Sequence, residues 1–502
     1  MKQIIAPRAV LTADPETREV RCTSGQAVVI DGETILAVGD ARTLIEDHPA
    51  IPIQRFDHSI LTPGFVNGHH HIGVTPVQMG VRDSNLETWV SLRAVSPALE
   101  LGLDTTYSAA QMLRSGVTTV QHLQGWQPSD VDDPTAAART VLDTYGKIGM
   151  RASYAKLVRD QNYFVHGNDD DLLAGLPTRH HDRFTQLMST FNVTVEDQLK
   201  AFTTLRSAYA DDHQLTVQLA PANFHWVSDE VLEAFGEISA STGAPIHMHL
   251  LESPYQSAYM DRRAGAERVR YLNRSGVLSE RLTLGHGTWL QAADIEALAE
   301  VGASVCNNCS SNFRLSSGRL PLIDLLAAGV NVGIGIDEAG LNDDRDMIQE
   351  MRLIYTVNRE PGLTRRRVKA EEVFTMATLG GARTTDFGHL HGSIVAGAPA
   401  DLVIFDENVL RAPFQLEGLS EVELILQRAR TDAITHVMVG GSWLLVDSQL
   451  TTIDEAALNE DLVSACAEVD RAKLRADQEF SERLTDAVRM WFIKAYDAED
   501  DK

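Results

Sequence analysis

The stretch TPGFVNGHHHI, residues 62–72, sets three histidines at what reads as the end of a buried strand. Gly64, Phe65 and Val66 make its apolar body, Pro63 starts it, and Asn67-Gly68 closes it. Side chains alternate across a strand, so His69 and His71 point one way and His70 the other. Two neutral imidazoles on one face are half of a divalent-metal site, although a short histidine tract is by itself only a compositional pointer. Three later segments carry residues of matching chemistry. PIHMHLLES puts His247 and His249 on one strand face, with Glu252 where the strand turns into loop. LTLGHG places His286 between two glycines after an apolar run, and VNVGIGIDEAG ends a Gly-rich strand in Asp337. A lone histidine in such a place is ordinarily a packed residue, and a strand-end Asp ordinarily forms a turn. Four strand ends in chain order carrying HxH, HxxE, H and D are hard to obtain from four such accidents.

The region that must hold these ends together alternates short apolar runs with helix-length segments, the pattern of βα units around a parallel sheet. TTYSAAQMLRSG precedes the strand VTTVQHL, and TAAARTVLDTYGKIG precedes RASYAKLV. QLTVQLAPA leads into SDEVLEAFGEISASTG, a helix with Ser228 as N-cap and Gly243 as stop. The later runs already quoted, with ASVCNN, complete enough units for an eight-stranded barrel, whose chemistry sits at the C-terminal strand ends. Outside this region both chain ends read as β. Asp31-Gly32 joins two apolar runs as a hairpin, and ADLVIFDENVL and ITHVMVGGSWLLVD supply strands near the other end. The predicted fold class is α/β, a (β/α)8 TIM-like barrel over 61–395. Residues 1–60 and 396–450 form a composite β-sandwich, and 451–502 a C-terminal helical extension. In that extension Leu462, Val463, Cys466 and Val469, then Leu484, Val488, Trp491 and Phe492, recur at helical spacing and need a surface of the barrel or of a second subunit. Residues 495–502 are expected to fray.

With 502 residues and 44% hydrophobic content the chain exceeds one ordinary core. A net charge of −26, from 70 acids against 44 bases, disfavours a nucleic-acid partner. Cys22, Cys306, Cys309 and Cys466 are too scattered for a disulfide framework and suit a reducing compartment. MKQIIAPRAVLTADPE does not read as a secretory signal, and no run of about 18 apolar residues spans a membrane. A cytoplasmic homo-oligomer acting on a small molecule is the expectation.

PGFVNGHHH, HMHLLES, LGHG, SSNFRLSSGRLPLIDLLAAGVNVGIGIDEAGLNDDRDMIQEMR and ATLGGARTTDFGHLHGSIVAGAPADLVIFD together resemble the amidohydrolase superfamily, in its cytosine deaminase and chlorohydrolase-like branch. The resemblance covers nearly the whole chain to about Asp447. It implies one catalytic divalent metal ion, zinc before iron, cobalt or manganese, with His69, His71, His249 and Asp337 as ligands. Glu252 and His286 would be catalysts beside it. A divalent ion on neutral imidazoles lowers the pKa of a bound water. Asp337 would then act as general base, His286 would hold the oxygen that becomes negative, and Glu252 would carry a proton to the departing or ring nitrogen.

Departures from the family pattern bear on substrate. Where deaminases of the branch show a ring-reading histidine, this chain has Ala222-Asn223-Phe224-His225-Trp226, so His225 and Asn223 become substrate-binding candidates. His122 is expected at the barrel mouth and joins them, and Lys156 is a weak candidate for bridging a second metal beside His70 and His122. Cys306 and Cys309, a CNNC on a barrel strand, read as packing. The loop GVTPVQMGVRDSNLETWVSLRA, with Trp89, reads as a lid or a subunit contact. Its wording resembles hydrolases of thiocarbamates (molinate) and phenylureas. The expectation is hydrolysis of an amide, urea or (thio)carbamate-like bond. The alternatives are deamination of a purine, pyrimidine or triazine-like ring, and a metal-free barrel scaffold.

Overall fold

In a computed structural model, which describes residues 2–97, 99–125, 127–191, 193–388 and 390–496, the centre of the chain is a parallel eight-stranded sheet. Its strands follow chain order: β1 (Phe65–His70), β2 (Val117–Gln124), β3 (Arg151–Val158), β4 (Leu215–Pro221), β5 (Ile246–Leu250), β6 (Leu282–His286), β7 (Ser304–Asn307) and β8 (Asn331–Ile334). Helices such as Leu101–Arg114, Ala136–Ile148 and Asp229–Thr242 lie between them. The last of these begins as expected, with the Ser228 hydroxyl accepting from the Val231 N–H at 3.3 Å. Every residue of β1 and β5–β8 is buried, as strands covered on both faces must be.

Asn67-Gly68 does not close β1 as expected; the strand runs through it to His70. The reason is the closure of the barrel between the first and last strands. Asn67 Oδ1 accepts from the Ile336 N–H at 3.0 Å and the His69 carbonyl from the Asp337 N–H at 2.9 Å. Gly68 is needed for a close approach rather than a turn, because a Cβ there would sit 2.8 Å from Thr384 Oγ1.

Both chain ends enter one nine-stranded mixed sheet. The strand Leu402–Asp406 pairs antiparallel with Ile53–Pro63, which pairs in parallel with Lys2–Ala13. One core cluster takes Ile5, Val28 and Ile30 from the front of the chain and Leu402, Ile404 and Met438 from the back, so the two ends share a core. Both sequence turns are present, with Gly32 between Gln26–Asp31 and Thr34–Asp40, and Gly440-Gly441 between Ile434–Val439 and Ser442–Val446.

A buried ion pair ties this sheet to the barrel. Arg151, at the start of β3, donates Nε to Asp401 Oδ2 at 2.9 Å and Nη2 to Oδ1 at 3.2 Å, and the Gly440 N–H adds 2.7 Å to Oδ1. Burial pushes the Asp401 carboxyl up, but Arg151, His391 and the Gly440 amide outweigh it and hold the group below the usual carboxylate range. A depressed carboxyl contributes stability that is fully present above its unfolded pKa and is lost as pH falls through the folded one. Asp401→Asn leaves Arg151 buried and unpaired, and is expected to cost about 3–5 kcal/mol. Denaturant midpoints at pH 7 should show that loss, and the difference from wild type should shrink only below about pH 4.

The C-terminal helix Arg471–Ala495 buries Phe480, Leu484, Val488 and Phe492 against Phe164, Val165, Leu172 and Phe184 of this same chain. The preceding helix, Glu455–Ala467, differs from expectation: Val463 is 71% exposed and Cys466 is exposed, because only Leu458 and the partly buried Leu462 meet the core. Of the tail expected to fray, residues 497–502 lie outside the described residues. No helix among the described residues is long and apolar enough to cross a membrane.

Candidate metal centre

The strand ends β1, β5 and β6 and the turn after β8 deliver their side chains to one point. His69 Nε2 and His71 Nε2 are 3.1 Å apart, and His249 Nε2 is 3.2 Å from His71 Nε2. Asp337 Oδ1 lies 3.3 Å from His71 Nε2 and 3.8 Å from His69 Nε2. The other ring nitrogens explain why these lone pairs converge. His71 Nδ1–H donates to the Leu123 carbonyl at 2.6 Å and His249 Nδ1–H to the Ala222 carbonyl at 2.8 Å, which fixes the tautomer with Nε2 bare. His69 Nδ1 is 2.9 Å from His247 Nε2. Burial, with the neighbouring rings adding to it, pushes the His69 and His249 imidazoles well below their ordinary range, so they are neutral. Bare lone pairs facing one another beside a carboxylate repel unless a cation lies among them. The converging atoms fall in two overlapping sets, His69 with His249 and His286 and His69 with His71 and Asp337, whose imidazole nitrogens and carboxylate oxygen fit a divalent ion of the zinc type.

The backbone is arranged for this. His286 and Asp337 have φ of 73° and 62°, left-handed values that ordinary residues avoid. Gly285 is required by His69, whose Cε1 would lie 2.7 Å from any Cβ at that position.

Glu252 and His286 flank the cluster. Glu252 Oε1 is 3.5 Å from His286 Nδ1, and His286 Nε2 is 3.8 Å from Asp337 Oδ2. His286 Nδ1–H donates to Asn312 Oδ1 at 2.8 Å. Burial, then the nearby Asp337 and Glu87 carboxylates, raise the Glu252 carboxyl well above its usual range and favour its protonated form. Glu87 is itself half-buried and accepts a hydrogen bond from the Ser253 hydroxyl. Asn312 and Glu87 lie inside quoted segments, SSNFRL and LETW, but no spacing rule singles out an amide or an acid that acts on another side chain.

A cavity of about 360 Å³ opens over His71, His249, Glu252, His286 and Asp337. Trp89 lines it, and the helix Leu86–Arg93 that carries it packs on the C-terminal helix, with Ser91 and Thr485 hydroxyls 2.8 Å apart. Three expected substrate contacts are not in the cavity wall. His122 is in register with His70 and shares its outward face, where it meets Tyr145 and stacks on Tyr154. His225 turns behind β4 onto His166, with ring centroids 4.4 Å apart. Asn223 donates to Gln256 Oε1 at 3.1 Å, and that same oxygen accepts from the Glu252 N–H at 2.9 Å, so Asn223 braces the Glu252 turn from behind. Lys156 is paired with Asp130 and is not a bridging group. Cys306 and Cys309 are free and buried.

The amidohydrolase family profile matches residues 60–444. A 5-methylthioadenosine/S-adenosylhomocysteine deaminase of Syntrophobacter fumaroxidans is 26% identical over 450 residues, 89% of this chain and 93% of that one. An 8-oxoguanine deaminase of Pseudomonas aeruginosa is 29% identical over 445 residues, 87% and 92%. Among solved structures, an adenosine deaminase from Xanthomonas campestris with bound zinc is similar at a TM-score of 0.76, with 24% identity over 94% of this chain and 98% of that one. A mutant atrazine chlorohydrolase from Arthrobacter aurescens, complexed with zinc and atraton, is similar at 0.79, with 19% identity over 92% and 99%. Since the profile takes in the whole barrel and the later strands of the sheet domain, the chain belongs to the amidohydrolase family, in its cytosine deaminase and chlorohydrolase-like branch, and is a metal-dependent hydrolase of non-peptide C–N bonds.

Proposed function

We propose that this enzyme hydrolyses an amide, urea or carbamate-like bond of a small molecule that carries an apolar group, with His69, His71, His249 and Asp337 holding one divalent ion, zinc first. When bound, such an ion supplies an acidified water and a Lewis acid. Asp337 takes the proton from the attacking water as general base. His286, held through Nδ1–H by Asn312, presents the lone pair of Nε2 3.8 Å from Asp337 Oδ2; it takes the water's proton on from Asp337 there and, as the imidazolium, holds the oxygen that becomes negative. Glu252, kept protonated by its surroundings, gives its proton to the departing nitrogen, without which a C–N bond breaks poorly.

The observation that carries the substrate class is the wall at the end of β4. Leu157 and Trp226 line the cavity there, over a buried cluster of Leu123, Ala220 and Ala222, so no side chain at that position reads a polar ring. Deamination of an aminated heterocycle is the second reading, favoured by the deaminase names of the relatives at 26% and 29% identity. The reading extends to a cytoplasmic homo-oligomer, supported by four free cysteines and by the exposed Phe414 and Leu416. The test is a panel assay on the metal-loaded protein. Amine release from anilides, phenylureas and carbamates is expected, with no ammonia from aminopurines, aminopyrimidines or aminotriazines. Ammonia from the rings alone would replace the first reading with the second.

A further inference from the structure

The middle histidine of the HHH triplet does not face the metal centre, and its contacts lead to the cavity by another route. His70 Nε2 is 2.6 Å from the Ser108 hydroxyl on the helix Leu101–Arg114. Ser108 lies beside the Tyr145 hydroxyl on the helix Ala136–Ile148 and acts on it electrostatically. Tyr145 Oη lies 3.1 Å from His122 Nδ1, and His122 Nε2 lies 3.1 Å from Gln124 Oε1. All five residues are buried, none above 2% exposed, so the links behind the cavity wall are shielded from bulk solvent.

The direction of the last two bonds follows from chemistry. The Gln124 carbonyl oxygen can only accept, so His122 donates from Nε2 and accepts the Tyr145 O–H at Nδ1. Gln124 therefore has its amide oxygen engaged behind the wall. Its amide nitrogen has no hydrogen-bond partner among the described residues, and Gln124 lines the cavity. It is also the residue after Leu123, whose carbonyl orients the His71 ring, and this puts it at the reacting end of the pocket.

We propose that Gln124 reads the substrate, its amide N–H groups binding a carbonyl oxygen next to the scissile bond, and that His122 is a positioning residue that holds the amide in this orientation. His70, Ser108 and Tyr145 anchor His122 from behind. The inference deepens the reading of a carbonyl-derived substrate and rests on it. It excludes substrates that offer only donors to this wall, since a donor would leave Gln124 unpaired.

Binding separates the two claims, because it does not depend on turnover. Acetanilide and N-ethylaniline carry the same apolar group with and without the carbonyl, and their dissociation constants are to be measured by calorimetry on metal-loaded protein in the Glu252→Gln background. Acetanilide is expected to bind at least about tenfold more tightly, and Gln124→Ala to reduce that preference about tenfold with bound metal retained. His122→Phe should reduce it too, and His122→Gln, which keeps a side-chain donor, should restore it. Unchanged preference in Gln124→Ala, equal losses for both compounds, or no binding of acetanilide to Gln124-containing protein overturns the assignment. Failure of the hydrolytic reading shows separately, as absence of amine and of ammonia in the panel assay.

Discussion

Glu252→Gln is expected to keep its metal and to lose turnover by about 10²–10⁴-fold, the usual worth of a positioned general acid or base. Glu252 stands beside the ligand cluster rather than in it, with Oε1 3.5 Å from His286 Nδ1. Glutamine has nearly the same shape and retains the backbone hydrogen bond from the Glu252 N–H to Gln256 Oε1. What it lacks is a transferable proton. Burial with Asp337 and Glu87 nearby makes Glu252 a proton donor in its resting state, and an amide cannot take that part. Elemental analysis beside a turnover assay checks this, and turnover within tenfold of wild type would move the proton transfer to another group.

His69→Ala is expected to abolish metal binding. The substitution removes one converging nitrogen and opens a hole beside Gly285, whose missing Cβ marks how closely the ring is enclosed. The loss should exceed the roughly 10–100-fold that removal of an outer-shell partner costs. His247→Ala supplies that comparison, since His247 Nε2 touches His69 Nδ1 at 2.9 Å and so supports a ligand from behind. Chelator competition on both variants orders them: a weaker effect for His69→Ala than for His247→Ala contradicts its place in the cluster.

The sequence showed much of this because strand periodicity is local. Alternation alone sent His69 and His71 to one face and His70 to the other, and their Nε2 atoms do lie 3.1 Å apart. The barrel followed from alternating elements, and the two-part sheet from ends that each lacked a partner. What was not legible depends on neighbours distant in sequence. His122 was expected in the mouth because it ends a strand, but its register against His70 turns it outward. Asn67-Gly68 looks like a turn until closure against Ile336 and Asp337 shows it to be a seam. His225 read as a pocket residue because nothing in the sequence places His166 behind it.

Everything proposed here for the chemistry rests on one ion among His69, His71, His249 and Asp337. Elemental analysis of the purified full-length protein tests this most directly. The expected result is about one equivalent of a divalent transition metal, zinc first, with turnover lost on chelation and regained on its return. Less than about half an equivalent after gentle purification, with none taken up when metal is added back, would contradict it and leave the barrel a scaffold.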